Sequence, residues 1–239
     1  MKPIDTRILA GIQVPATPAI DRAMEYAQLK CEPYLFNHVV RSWLFAVRIG
    51  QLQNIEHDAE VVAVGTLLHD ITLNKDFAGP RRFEVEGADL ARSFATDLGF
   101  DKRRAQLVWD SVALNATASI ALHKEAEVAL GTMGIGLDYG GFGFEAMIPP
   151  VEMTEILKEF PRLKMKHSFA ETCRHLVTTR PETSSDNFLR DFGERFVPGY
   201  KPVSTVDLFM NAPSDRSHAG RLARAQSAFK RRSAKATRD

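Results

Sequence analysis

The sequence predicts an all-α fold, and three observations carry that prediction. Apolar residues recur at three- and four-residue steps over most of the chain, the spacing of one helix face. Prolines, glycines and aspartates fall where such stretches begin and end. No alternation of apolar and polar residues runs long enough to read as a strand. The 239 residues, 44% of them hydrophobic, suit one domain with a sizeable core and an appended tail.

Taken in order, residues 1–17 hold Pro3 and Pro15 and read as an irregular lead-in. Pro18 stands where a first helical turn tolerates proline, so a helix is expected over residues 19–29. Pro33 precedes a long helix over 35–52, where Val39, Val40, Trp43, Leu44, Val47 and Ile49 share the apolar spacing. Asp58 caps the next, an apolar run that reaches about residue 69. Residues 71–83, with Asn74, Gly79 and Pro80, form a surface loop over the mouth of that helix. A helix over 85–98 stops at Gly99, and Asp101 caps another that extends to about 114. Helical pattern returns over 125–130 and breaks in the glycine-rich run 131–141, which reads as a turn. Pro149 and Pro150 start a helix over 151–160, and 166–178 reads as one more. Beyond Pro181 the signal fades, with short helices expected only at 206–210 and 219–229.

A net charge of +1 predicts no strong field for nucleic acid or an anionic membrane. The two cysteines, Cys31 and Cys173, lack CxxC spacing, which argues against a thiolate zinc site and fits a reducing cytoplasm. No apolar stretch approaches about 18 residues, so no spanning helix is expected. The N-terminus also lacks the apolar core of a secretion signal. Residues 201–239 form an extension whose last part, 221–239, holds seven Lys or Arg against one Asp. Such an arm is best read as a solvated terminus. The expected partner is a small-molecule substrate, and a symmetric homo-oligomer is common among helical bundles.

The chemistry concentrates at His69-Asp70. An imidazole and a carboxylate stand side by side at the end of the apolar run 61–68, where an unpaired buried charge is costly. A metal ion is the simplest compensation, and His38 upstream and Asp138 downstream offer further ligands. Imidazole nitrogens with carboxylate oxygens suit Zn²⁺ or Fe²⁺, whereas an all-oxygen set favours Mg²⁺ or Ca²⁺. Four protein ligands fit one divalent metal with open positions for water, whose pKa the ion lowers toward neutrality.

Phe36-Asn37-His38-Val39-Val40-Arg41-Ser42, followed by Leu67-Leu68-His69-Asp70-Ile71, resembles the HD-domain superfamily of metal-dependent hydrolases. Arg82-Phe83-Glu84-Val85-Glu86-Gly87-Ala88, Val108-Trp109-Asp110, Gly134-Ile135-Gly136-Leu137-Asp138 and Phe160-Pro161-Arg162 are similar to its cyanamide hydratase-like branch. The resemblance runs in order over residues 30–180 and makes 18–200 the HD domain. It implies a helical bundle around one metal, zinc ahead of iron, bound by His38, His69, Asp70 and Asp138. It also implies addition of water to a small nitrile-like molecule such as cyanamide. Where relatives commonly carry a histidine after the Trp-Asp helix, this chain reads Leu114-Asn115-Ala116-Thr117. Asparagine donates and accepts hydrogen bonds but shuttles no proton near pH 7. His123 is the nearest substitute, although Lys124 beside it suggests a surface position.

In this scheme Asp70 ligates the ion and accepts a proton, and Asn115 holds substrate or product. Glu84 is either a carboxylate that orients a ligand or shuttles protons, or a charge favoured at a helix start. Asn37, Arg41, Thr72, Lys75 and Thr117 complete the substrate contacts, with Arg41 alternatively pairing inside the fold. Phe142, Phe144 and Met147, together with Trp43 and Phe45, would wall a pocket for a small uncharged molecule. Two rivals stay open. Arg41, Lys75, Arg81 and Arg82 would equip a phosphohydrolase, and Asn115 would fit a metal-binding protein whose catalysis has changed. The glycine run lacks GxxxxGK[ST] and no GxSxG elbow occurs, which argues against phosphate-loop and serine-hydrolase chemistry.

Overall fold

The computed structural model describes residues 5–140, 143, 144 and 147–212. The chain divides into two units, Met1–Tyr200 and Lys201–Asp239. Helices make up most of the first, but it opens on a hairpin, β1 (Thr6–Leu9) and β2 (Ile12–Pro15), paired antiparallel with Leu9 opposite Ile12. The lead-in is therefore ordered rather than irregular. Its two-residue turn sets both Ala10 (φ 47°) and Gly11 (φ 78°) in the left-handed region, as the tightest hairpins require. Ile12 and Val14 turn inward and Gln13 outward, so the strand alternation exists but lasts only a few residues.

Helix α1 (Pro18–Lys30) starts on Thr17, whose hydroxyl accepts from the Ile20 amide. Helix α2 (Pro33–Gln53) is buried along most of its length and forms the axis of the core. Asp58 caps α3 (Ala59–Leu67) by accepting from the Glu60 and Val61 amides. Every residue from Val61 to Leu67 is buried, as expected of a helix apolar on all sides. This helix stops at Leu67, before the predicted end, and leaves His69 and Asp70 in the turn that follows. Next come α4 (Phe83–Asp97) and α5 (Lys102–Ala113, capped by Asp101), which pack on each other.

A short α6 (Ala118–Ala121) leads to α7 (Ala126–Tyr139), which corrects the reading of 131–141 as a turn. The helix runs straight through Gly131, Gly134 and Gly136, and its main neighbour is α2. A Cβ on Gly134 would lie 2.2 Å from the Ser42 carbonyl oxygen and 2.8 Å from the Ala46 nitrogen. Gly134 thus permits close contact with α2 instead of bending the chain. Helices α8 (Pro150–Glu159) and α9 (Met165–Thr179) follow. A 3₁₀ turn (Pro181–Thr183) and α10 (Leu189–Phe196) then occupy a stretch where no element was predicted. Here Tyr34, Phe83, Phe169, Leu176 and Leu189 build a second, smaller apolar cluster.

The second unit contains α11 (Thr205–Met210), begun by Ser204 accepting from the Asp207 amide. The helix expected at 219–229 and most of the basic tail lie outside the described residues. No helix among the described residues is long and apolar enough to cross a membrane.

Candidate metal centre

Three buried side chains converge where α2 meets the turn after α3. His38 Nε2 lies 3.2 Å from His69 Nε2, and Asp70 Oδ2 lies 3.3 Å from the latter and 3.7 Å from the former. Such a group could hold a metal ion.

The outer nitrogens decide what the inner ones offer. His69 Nδ1 is 2.7 Å from the Thr66 carbonyl oxygen, which only accepts, so Nδ1 carries the proton. His38 Nδ1 is 2.6 Å from Asp138 Oδ2, and an ionised carboxylate likewise only accepts. Both Nε2 atoms are thereby left with lone pairs that face each other across 3.2 Å. Two lone pairs at that range repel unless a cation sits with them. Bonds of about 2.0–2.1 Å from a tetrahedral zinc would set two imidazole nitrogens roughly 3.3 Å apart. The residues therefore fit a divalent ion, and their outer hydrogen bonds are of the kind that orient metal-ligating histidines.

Without an ion, the same surroundings favour a proton on His69, so a proton and a cation compete for this position. Burial opposes charge on His69, but the adjacent Asp70 carboxylate outweighs it and raises the imidazole's pKa. Burial likewise opposes ionisation of Asp70, and His69 and then His38 lower its pKa all the same.

Asp138, expected as the fourth ligand, does not join the group. It is the penultimate residue of α7, and it stands behind His38. Arg41 Nε donates to its Oδ1 (2.8 Å) and Arg41 Nη2 to its Oδ2 (2.7 Å). Burial would discourage its charge, but the His38 and Arg41 hydrogen bonds hold its carboxyl well below the usual carboxylate range. Arg41 itself is fully buried and also donates to the Phe160 carbonyl, so it is committed to the fold rather than to substrate. Arg162 closes the arrangement by donating to the Asp138 carbonyl (2.9 Å).

An apolar cavity of about 130 Å³ opens beside His38, His69 and Asp70. Asn115, at the end of α5, lines it as the sequence suggested, and so does Phe144. The Asn115 amide nitrogen donates to the Val112 carbonyl (2.8 Å), which leaves Oδ1 as the group's acceptor. The other expected contacts lie elsewhere. Asn37 donates to the Pro161 carbonyl, and the Thr72 hydroxyl donates to the Phe83 carbonyl. Lys75 and His123 are exposed, and Thr117 is half-buried just before α6, off the cavity wall. Glu84 is completely buried at the start of α4, where Arg82 (2.9 Å) and Asn187 (3.1 Å) donate to it, away from the cavity. Trp43 and Phe45 are core residues that do not reach the cavity, and Phe142 lies outside the described residues.

Sequence reasoning missed Thr132, Ile135, Tyr139, Phe169 and Phe188, which complete much of the wall. Thr132 and Ile135 were hidden by the misread glycine run, whereas Phe169 and Phe188 approach from elements distant in the chain. Neither a protein-family model nor a curated protein matches this chain.

Proposed function

We propose that the chain is an HD-domain type, cyanamide hydratase-like enzyme that adds water to a small nitrile-like substrate at a single divalent metal site. The observation that carries this reading is the facing pair of Nε2 atoms with Asp70 beside them, at the wall of an apolar cavity. A divalent ion there, zinc ahead of iron, supplies Lewis acidity and brings the pKa of water toward neutrality.

The chain's own groups do the rest. Thr66 and Asp138 keep both histidines in the tautomer that turns Nε2 inward. Asp70, the acidic residue on the described cavity wall, remains ionised and is placed to accept a proton from water. The reaction joins the water oxygen to the nitrile carbon. One hydrogen goes to nitrogen, and tautomerisation moves the second there, giving an amide, or urea from cyanamide. Asn115 Oδ1 accepts from an N–H of that product. Tyr139, Phe144, Phe169 and Phe188 limit competing water.

No lysine or arginine occurs on the described cavity wall. Arg41 is tied to Asp138, Arg81 to Glu86, and Arg82 to Glu84. Lys75 is exposed and off the described cavity wall, so the cations that a phosphohydrolase would use are engaged or placed elsewhere. The test is urea formation from cyanamide. Activity that disappears with His69→Ala and with chelation supports the reading. Turnover of phosphate esters in place of cyanamide would replace it with the phosphohydrolase.

A further inference from the structure

The cavity holds one polar side chain that nothing in the fold explains. Thr132, on α7, is only 3% exposed, and its hydroxyl finds no hydrogen-bond partner in the protein. An unsatisfied buried hydroxyl costs about 1–3 kcal/mol. In this rotamer the Thr132 hydroxyl is closed to solvent, and rotation about χ1, which threonine in a helix tolerates, would turn it toward the cavity that the residue lines, where a ligand would complete it. Asn115 lines the same cavity; one of its two amide hydrogens goes to Val112, which leaves the second as a donor and Oδ1 as an acceptor. The pair therefore offers a rotatable hydroxyl and an amide with both functions, which match a nitrile nitrogen before reaction and an amide afterwards.

The remaining wall selects the body of the ligand. Ile135, Phe144, Phe169 and Phe188 supply apolar surface, with Phe169 and Phe188 stacked at 5.9 Å between centroids. The volume, about 130 Å³, is several times what a cyanamide-sized molecule fills. It is close to the ~150 Å³ apolar cavity known to accept benzene. No basic residue on the described wall would hold an anion.

Resting on the reading of this cavity as the substrate site, we infer that the ligand is an uncharged nitrile or amide with an apolar body of about one ring. Thr132 and Asn115 read its polar end, and the aromatic wall takes its body. Thr132 is the specificity-determining residue that sequence inspection passed over.

The experiment is calorimetric titration of the metal-loaded protein with benzamide and with acetamide, which share a head group and differ in body. Benzamide is expected to bind at least about tenfold tighter, because the added ring buries apolar area. Thr132→Val is expected to weaken benzamide about three- to tenfold. It should leave the free protein's melting temperature unchanged or higher, since an unpaired hydroxyl is removed. Equal affinities for the two amides, or unchanged benzamide affinity in Thr132→Val, would overturn the proposal. A lowered melting temperature with unchanged affinity would make Thr132 structural. The readout involves no turnover. Benzamide binding through Thr132 in a protein that never hydrates cyanamide would sink the hydratase reading alone, whereas cyanamide turnover without benzamide preference would sink this inference alone.

Discussion

Asp138 shows how much one residue's role depends on the side from which it approaches. The sequence marks it as a carboxylate in range of a histidine pair, yet the structure puts it on Nδ1 of His38 with Arg41 closing around it. No spacing rule distinguishes a ligand from the carboxylate behind a ligand, because the choice depends on how α7 lies across α2. Removing Asp138 would strand a fully buried guanidinium, so Asp138→Ala should lose about 3–5 kcal/mol in denaturant unfolding. A loss under about 1 kcal/mol would mean that Arg41 finds other partners. His69-Asp70, by contrast, was legible because two polar residues close an otherwise apolar run. Asn115 was legible only as a departure from a resemblance. If the missing imidazole is what limits proton transfer, Asn115→His should raise urea formation from cyanamide severalfold. An unchanged rate would remove the missing imidazole from the explanation.

At the scale of elements, periodicity located α1, α2, α5, α8 and α9 within a few residues, and their caps and prolines were local enough to read. It failed where tertiary contact overrides local preference. The glycines of α7 look like breakers until Ser42 and Ala46 are seen against Gly134. Gly134→Ala should therefore destabilise the fold by about 1–3 kcal/mol, since the clash is with backbone that cannot rotate away. The same shift would separate His38 from Asp138 and weaken ion binding; stability and affinity equal to the parent would refute the packing argument. The hairpin escaped notice because Ala10-Gly11 lacks the usual Asn-Gly signal.

Asp58 ties a cap to pH. Burial opposes its charge, but the Arg104 pair and the Val61 and Glu60 amides lower its pKa. Its folded value is below its unfolded one, so the stabilisation is fully present above the unfolded pKa, about 3.9. It is lost as pH falls through the lower, folded value. Asp58→Ala should cost about 1 kcal/mol at neutral pH. That deficit should shrink in acid, and a constant deficit would remove the carboxylate from the explanation.

For the molecule as a whole, the first unit has two apolar clusters, and the His38, His69 and Asp70 group lies where elements of both come together. α2, α7 and the turn after α3, from the larger cluster, bring these side chains and their outer hydrogen bonds, while Phe169 and Phe188, packed with the smaller one, face the same cavity. The larger part was visible in the sequence as helical periodicity. In the smaller, α9 was visible but α10 was not, because its approach rests on a contact between Glu84 and Asn187 that spans about a hundred residues. On the proposed reading, this architecture seats a divalent ion between two imidazoles held neutral by Thr66 and Asp138. Elemental analysis of protein purified without chelator tests it most directly, with His69→Ala beside it. The expected result is about one zinc or iron per chain in the parent and none in the folded variant. A folded parent free of stoichiometric metal that gains none on addition of zinc or iron would contradict the claim.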